Sequence, residues 1–397
     1  MRILQICPRV PYPLQDGGAI GIFNITKHLT MRGHQIQMVA FGKDKAASIN
    51  GLRQYCPLAI VQHQTANSRL GAILNIASPI PYTISKYHTD AMFRKLQELV
   101  APSRFDIVHV DHLHMATYGV FLKERYGLPI VLRQHNLETA VMERFTRTQQ
   151  SAWLRGYARL QHRKLLRYEP NLCEQFDRCV MITPEDERRL QMMSQRVRTI
   201  VIPAGVDLPS LAGGVSEESP NILFLASLDW PPNVDGFLWF YENVLPLVRR
   251  EEPEVQVSII GKGQSPRLQQ LKHPNVRFIG FVADVAPYLQ AARVCIVPLF
   301  AGGGMRIKIL EMLAHGKGVV STSIGCEGIA AANGQELLVA DDAKNFAEAV
   351  LAILRNQTLR LHLGRKARQL VEMKYLWPQI GTAFEGVYSQ CIAERRR

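Results

Sequence analysis

Paired cysteine is what this chain lacks most plainly. Its seven cysteines (Cys7, Cys56, Cys173, Cys179, Cys295, Cys326 and Cys391) are odd in number, scattered, and without a CxxC pair or zinc-ligand spacing. That excludes a disulfide framework and a structural zinc site, and the cysteines read as reduced, mostly buried thiols of a cytosolic protein. Long apolar runs are missing too. The opening Ile3-Leu4-Gln5-Ile6-Cys7 is too short for a signal-peptide core and soon reaches Pro8, Pro11 and Pro13. No run approaches the length that spans a bilayer. A soluble chain, or one attached only to a surface, is expected.

What is present is a globular composition of 397 residues, 47% hydrophobic and 20% charged, long enough for two ordinary domains. Net charge is +13, which suggests an acidic partner: nucleic acid, anionic lipid or a phosphorylated substrate. No nucleic-acid motif accompanies the charge, so nucleic acid is set aside. A basic band runs through Arg144, Arg147, Arg155, Arg159, Arg163, Lys164 and Arg167, with Trp153, Leu154, Tyr157, Leu160, Leu165 and Leu166 interleaved at helical spacing. Two readings stay open for it: a helix lying on an anionic membrane, or a surface helix with one face in the core.

Apolar strand-like runs alternate with helical stretches along both halves. Ile3–Cys7, Gln35–Ala40, Phe105–Val110, Pro129–Arg133, Cys179–Ile182 and Thr199–Ile202 are read as strands of the first half. Asp16-Gly17-Gly18 leads into a helix from Ala19 to Arg32, ended by Gly33. A segment rich in Pro, Gly, Ser and acidic residues, Pro203–Pro220, reads as a connection. The alternation then restarts, with strands at Ile222–Ala226, Val255–Ile260, Val276–Ile279 and Val294–Val297 and a helix at Val234–Val248. This gives two doubly wound α/β domains, residues 1–205 and 206–376, with a cleft between them as the expected site, and a C-terminal helix over 377–397 expected to return toward the first. Trp377-Pro378 is expected to break the chain before that helix.

The most informative stretch is Cys295–Gly328. A short strand leads to Gly302-Gly303-Gly304, then to a helix over Arg306–His315, then to a strand at Val319–Thr322. Glycines allow main-chain N–H groups to converge on a phosphate, and the following helix N-terminus adds a favourable dipole. Arg306 and Lys308 bring cations beside those amides, and Glu311, one turn on, suits the vicinal hydroxyls of a sugar. Phosphate and sugar together imply a nucleotide.

These segments resemble the retaining nucleotide-sugar glycosyltransferases of glycosyltransferase family 4, over nearly the whole chain. The resemblance is carried by PxPxxGG at Pro11–Gly18, RGH at Arg32–His34, FDIVHV at Phe105–Val110, IPAGVD at Ile202–Asp207, IIGKG at Ile259–Gly263, VRFIGFV at Val276–Val282, and the Gly loop with Lys308 and Glu311. A sub-group of bacterial surface-polysaccharide enzymes has DWxPN followed by GGGxRxKxLE, which Asp229, Trp230, Pro232 and Asn233 match. The resemblance implies the GT-B fold, two Rossmann-like domains facing each other across a cleft. It implies a nucleotide sugar as donor, a glycan or lipid-linked acceptor, and no metal or other cofactor. It assigns Gly17 and Gly18 to phosphate, Phe281 and Val282 to the base, Glu311 to the ribose, Gly304, Met305, Arg306 and Lys308 to the diphosphate, and Gly303 to the donor. His135 matches a histidine of the cleft. The location implied is cytoplasmic, with an anionic membrane surface at the inner face of the plasma membrane as a candidate partner.

Two departures bear on function. Gly303 stands where the family has the first Glu of its Glu, seven residues, Glu motif, and Leu223–Pro232 lacks the customary Arg and Lys pair, a role open to Arg306 and Lys308. The acid/base position falls in HVDHLH at His109–His114, where Asp111 is favoured over His112. The histidines at 109, 112 and 114 are spaced to splay rather than to share a metal. Enzymatic hexosyl transfer is the leading reading. An epimerase or phosphorylase lacks its further groups here, and the rival of another class is a non-catalytic GT-B subunit that binds a sugar nucleotide or glycan and scaffolds a partner.

Overall fold

Strands buried on both faces of a parallel sheet read as unbroken apolar runs, and this chain has two sets of them. The structure is a computed structural model and describes residues 1–14, 16–43, 49–101, 104–149, 151–210, 221–263, 265–271 and 273–395. It divides into two compact units, residues 1–204 with 377–397, and residues 205–376. The second half of the expected connection, 211–220, lies outside the described residues.

The first unit holds a seven-stranded parallel sheet in the order β3-β2-β1-β4-β5-β6-β7. Its strands are β1 (Arg2–Cys7), β2 (Gln35–Phe41), β3 (Leu58–Val61), β4 (Ile107–Asp111), β5 (Ile130–Gln134), β6 (Arg178–Met181) and β7 (Thr199–Val201). The second holds six parallel strands in the order β10-β9-β8-β11-β12-β13. These are β8 (Asn221–Leu225), β9 (Gln256–Ile260), β10 (Val276–Gly280), β11 (Val294–Val297), β12 (Gly318–Ser321) and β13 (Leu338–Val339). In each sheet the order reverses once, between β1 and β4 and between β8 and β11. Ligands of such sheets sit beyond the carboxyl ends of the strands at that reversal.

Several expectations shift. Asp16 caps the first helix, so Gly17 and Gly18 lie inside its first turn, Gly17–Met31. The helix read over Val234–Val248 begins earlier, at Pro231–Trp239, and widens into a π turn at Phe240–Val244 before Leu245–Glu251. Pro246 explains the widening, because its missing N–H and its ring disrupt regular α bonding. The basic band forms two helices, Glu138–Thr148 and Ala152–Cys173. The second buries Ala158, Gln161, Leu165 and Glu169 while Arg159, Arg163 and Arg167, four residues apart, face outward. Among the described residues no helix is long and apolar enough to cross a membrane.

Trp377 and Pro378 do not break the chain. They form the first turn of the helix Trp377–Arg395, where a proline needs no N–H partner. This helix buries Trp377, Ile380, Phe384, Val387 and Tyr388 in one cluster with Ile22, Ile25 and Leu29 of the first helix and Ile3 and Met38 of the sheet. Gly381 allows the crossing, since a Cβ there would stand 3.2 Å from His28. All seven cysteines are free, six of them buried.

Phe384→Ala, at a side chain with no exposure, is expected to destabilise the first unit by about 3–5 kcal/mol. Urea unfolding followed by a probe in that unit measures the change in midpoint.

Candidate functional site

At the reversal in the second sheet, the loop after β8 meets the loop after β11. Asn233, buried near the start of the helix Pro231–Trp239, donates its amide to Ser227 O at 2.8 Å and accepts from Lys308 Nζ at 3.2 Å. Trp230 covers Gly302, whose φ is +127°, and a Cβ on Gly302 would stand 2.7 Å from the indole and 2.8 Å from the Arg306 guanidinium. DWxPN and GGGxRxKxLE, far apart in sequence, thus meet as one structure.

The two cations of the loop have different surroundings. Arg306 is buried, donating to Gly303 O at 2.8 Å, to Gly304 O, and to Ile324 O at 3.5 Å. The expectation that it embraces a diphosphate is therefore corrected. Consecutive glycines bare their carbonyls, and a five-donor guanidinium satisfies them from within. Lys308 heads the helix Ile307–Ala314, and its ammonium bonds Asn233 alone among the described side chains, with the Phe224 ring 5.5 Å away. Burial, reinforced by the charge of Arg306, lowers its pKa to about 7. An anion arriving here completes its hydrogen bonds and restores its charge.

Glu311 follows one turn later. Burial and then the charge of Asp284 push its carboxyl upward, and Asp284 lies in the segment after β10 that begins with Phe281-Val282. That segment borders a cavity of about 630 Å³ at the carboxyl ends of β8, β9 and β10, lined by Leu228, Gly261, Gly263 and Phe281. Gly263, at φ +92°, permits the close approach, since a Cβ would meet Asp229 N at 2.7 Å. Phe281 is 75% exposed at the cavity rim, with Val282 half-buried beside it. Gly303, Gly304 and Met305 form the loop ahead of the helix as the sequence implied, and Gly304 has φ +70°.

In the first unit, β1, β4 and β5 converge on Asp111. This carboxylate has no exposure. It accepts from Gln5 Nε2 at 2.9 Å and Arg133 Nη1 at 3.2 Å, and His109 Nε2 lies 3.2 Å away. Burial alone would raise its pKa, but His109, His135 and Arg133 prevail and hold it well below the usual carboxylate range. The expected proton-accepting role of Asp111 is corrected, since its carboxylate meets no solvent and is engaged by Gln5 and Arg133. His112, one residue on, is half-buried, with φ +67° and its ring stacked 3.7 Å from that of His135. A non-glycine residue in the left-handed region carries backbone strain. Burial and then the charges of His135 and His114 keep its imidazole neutral.

His135 is held at about pKa 4 by burial and Arg133. Its Nε2 lies 2.5 Å from Arg133 Nη1 and 3.4 Å from Asp111 Oδ1, and its Nδ1 stands beside Gly18. The amides at the head of the first helix already face an anion. Asp16 accepts from Ala19 N at 3.0 Å and pairs with Arg9. Despite partial burial, those two partners and the Gly18 amide keep it ionised. The phosphate expected at Gly17 and Gly18 would have to displace this carboxylate. Asn233 stood in the sequence as the last residue of the DWxPN match without an assigned role, and Asp284 was not singled out. No group of three metal-ligating side chains is formed among the described residues.

Comparison with known proteins adds several matches. Residues 15–209 match the family described as Glycosyltransferase Family 4, and residues 219–356 match Glycosyl transferases group 1. The chain is 26% identical over 327 residues to a phosphatidyl-myo-inositol mannosyltransferase of Mycolicibacterium smegmatis, covering 79% of each. It is 21% identical to an uncharacterized 44.6 kDa protein in the cps region of Klebsiella pneumoniae, covering 94% of this chain and 96% of that one. Among solved structures, a sucrose-phosphate synthase from Thermosynechococcus elongatus superposes with TM-score 0.75 at 19% identity, covering 99% and 100%. The fold is of the GT-B type, two Rossmann-like parallel α/β domains.

Lys308 sets a pH dependence on anion binding. Its ammonium is half deprotonated at about pH 7 in the free protein, and a bound diphosphate raises that value. Affinity for a nucleoside diphosphate is expected to fall by up to about tenfold per pH unit between about pH 7.5 and 9. Lys308→Met should flatten that slope in isothermal titration calorimetry.

Proposed function

Because the chain belongs to the group 1 glycosyltransferases, its two matched segments taking in most of its length, we propose that it moves a hexose from a nucleotide diphosphate sugar to a glycan or lipid-linked acceptor. The proposal includes retention of anomeric configuration and a place in surface-polysaccharide assembly. The observation that carries it is Lys308, a half-buried ammonium with a single side-chain partner among the described residues, at a helix N-terminus one turn before Glu311.

Breaking the bond between a hexose and a diphosphate builds negative charge on the departing phosphate. A preorganised ammonium and helix N–H groups stabilise that charge in a water-poor loop without a bound metal. Glu311 takes the ribose hydroxyls, and the cavity behind Phe281 takes the base. Arg306 works through the loop, shaping the glycines that approach the phosphates. In the first unit, His112 replaces Asp111 as the group that accepts a hydrogen bond, and then a proton, from the acceptor hydroxyl. Retention rests on the resemblance to retaining family 4 enzymes. The named relatives, one acting on a phosphatidyl-inositol and one in a cps region, favour a lipid-linked or polysaccharide acceptor.

A binding-only subunit is the second reading, favoured by Gly303 standing where a donor-contacting carboxylate is usual. A location at the inner face of the plasma membrane belongs to the main reading. Leu70, Ile73, Leu74 and Trp153 are exposed by 59–76% on elements joined through Gln161 and Lys164 to Asn75. The outward arginines of Ala152–Cys173 share that helix with Trp153, a combination suited to anionic lipid.

Lys308→Ala should lower kcat/KM by about 10²–10³ with the fold retained, in an assay of nucleotide release from UDP-, GDP-, ADP- and dTDP-hexoses with extracted lipid acceptors. Full activity in the variant would remove Lys308 from its role, and a wild-type chain that binds nucleotide but never turns over would favour the subunit. NMR of the new anomeric centre tests retention. The protein should sediment with vesicles of anionic phospholipid but not of phosphatidylcholine, and the paired substitution of Ile73→Ser with Leu74→Ser should weaken that attachment.

A further inference from the structure

Beside the His112 site, the same edge of the first sheet carries a second polar cluster. Glu138 opens the helix Glu138–Thr148, fixed from behind by Glu169. The amides of Glu138 and Thr139 donate to that wholly buried carboxylate at 3.0 and 2.8 Å, and the Thr139 hydroxyl at 2.5 Å. The Glu138 side chain itself is 15% exposed, and its pairing with His114 Nε2 spans 3.8 Å, beyond hydrogen-bond reach. No hydrogen bond to its carboxylate forms among the described residues. Burial raises its pKa to about 7, opposed by Lys86.

Its neighbours come from different loops at that edge. The His114 ring lies 4.9 Å from Tyr87 and 5.9 Å from His112. Burial and then the charge of Lys86 hold His114 at about pKa 4, so it is neutral. Lys86 donates to Asn67 Oδ1 at 2.9 Å and lies over the Tyr87 ring.

We infer that Glu138, with His114 and Tyr87, forms a subsite for a neutral pyranose ring of the acceptor, its carboxylate accepting hydrogen bonds from two neighbouring hydroxyls. This rests on the transferase reading and deepens it. A carboxylate short of donors is matched by hydroxyls, which bring donors without a charge. A neutral imidazole offers one donor and one acceptor, and an aromatic ring supplies an apolar surface for the C–H face of a sugar. An anionic ligand would be repelled by Glu138, and a metal would find only one carboxylate and one imidazole among the described residues. Glu138 acts as a binding residue here, and His112 remains the group nearest the reacting hydroxyl.

The test uses the full chain and the methyl pyranosides of glucose, galactose, mannose and N-acetylglucosamine as probes, with binding followed by saturation-transfer NMR. At least one glycoside should bind the wild type, and Glu138→Ala should weaken it at least tenfold, with Glu138→Gln recovering part of the loss through its remaining carbonyl oxygen. Nucleotide affinity should not change, and the melting temperature should hold or rise, since a buried, poorly paired carboxylate is being removed. The subsite is overturned if no glycoside binds the wild type, if Glu138→Ala binds as the wild type does, or if both variants melt several degrees lower, the mark of a structural ion pair. A wild type that binds glycoside but no nucleotide would support the subsite while removing the transferase reading.

Discussion

A carboxylate with no route to water is tolerable only where every oxygen is matched, and meeting that condition at Asp111 organises the first unit. Gln5, which Asp111 engages from β1, accepts in turn from Thr26 of the first helix at 2.7 Å. Arg133, standing opposite Asp111 in the β4–β5 register, reaches under the first helix at Gly21, where a Cβ would stand 2.8 Å from its guanidinium. His109 bonds the Tyr388 hydroxyl of the last helix. Three strands and two helices therefore share one charge, and removing any one partner leaves a buried ion exposed to the low-dielectric core. The same network fixes His135, which stacks on His112. His112, with its left-handed backbone, therefore stands on this internal salt bridge.

The second unit solves an equivalent problem differently. Its three-glycine loop has no side chains to brace it, and Arg306 braces it from within through backbone carbonyls. Because Arg306 is occupied in this way, its charge acts on Lys308 at short range and contributes to keeping that ammonium only partly protonated in the unliganded protein. Asn233 sets the direction of the lysine, and Ser227 sets Asn233. The site is organised from the loop outward, so each group near the phosphate position depends on another whose partners are main-chain atoms.

Much of this was legible in the sequence. Central strands of a parallel sheet are apolar throughout, so their positions along the chain could be read directly, and the Gly loop leading into a helix with Lys308 and Glu311 was equally plain. The edge strands β3 and β13 were not read, because four or two residues at an edge leave no distinguishable run. The choice between Asp111 and His112 was a choice of which side of the chain faces inward at a strand's last residue. Sequence does not show that β4 runs through Asp111 or that the backbone turns left-handed at the next position. Arg306 and Lys308 are alike in charge and two residues apart, and only the exposed carbonyls of Gly303 and Gly304 separate their roles. Glu138 carried no motif, since its neighbours come from distant loops.

The return of the chain at Trp377 has a consequence for biosynthesis. The first unit is interrupted by the whole of the second, and its core cluster is closed by the nineteen residues of Trp377–Arg395. During translation those residues emerge only after the whole of the second unit has been made. Until then the apolar face made by Ile22, Ile25, Leu29 and Met38 has no cover. The nascent chain therefore carries a sticky, half-built domain for most of its synthesis, a natural client for chaperones at the ribosome exit. A chain cut off between Leu376 and Trp377 holds a complete second unit and a first unit without its closing helix.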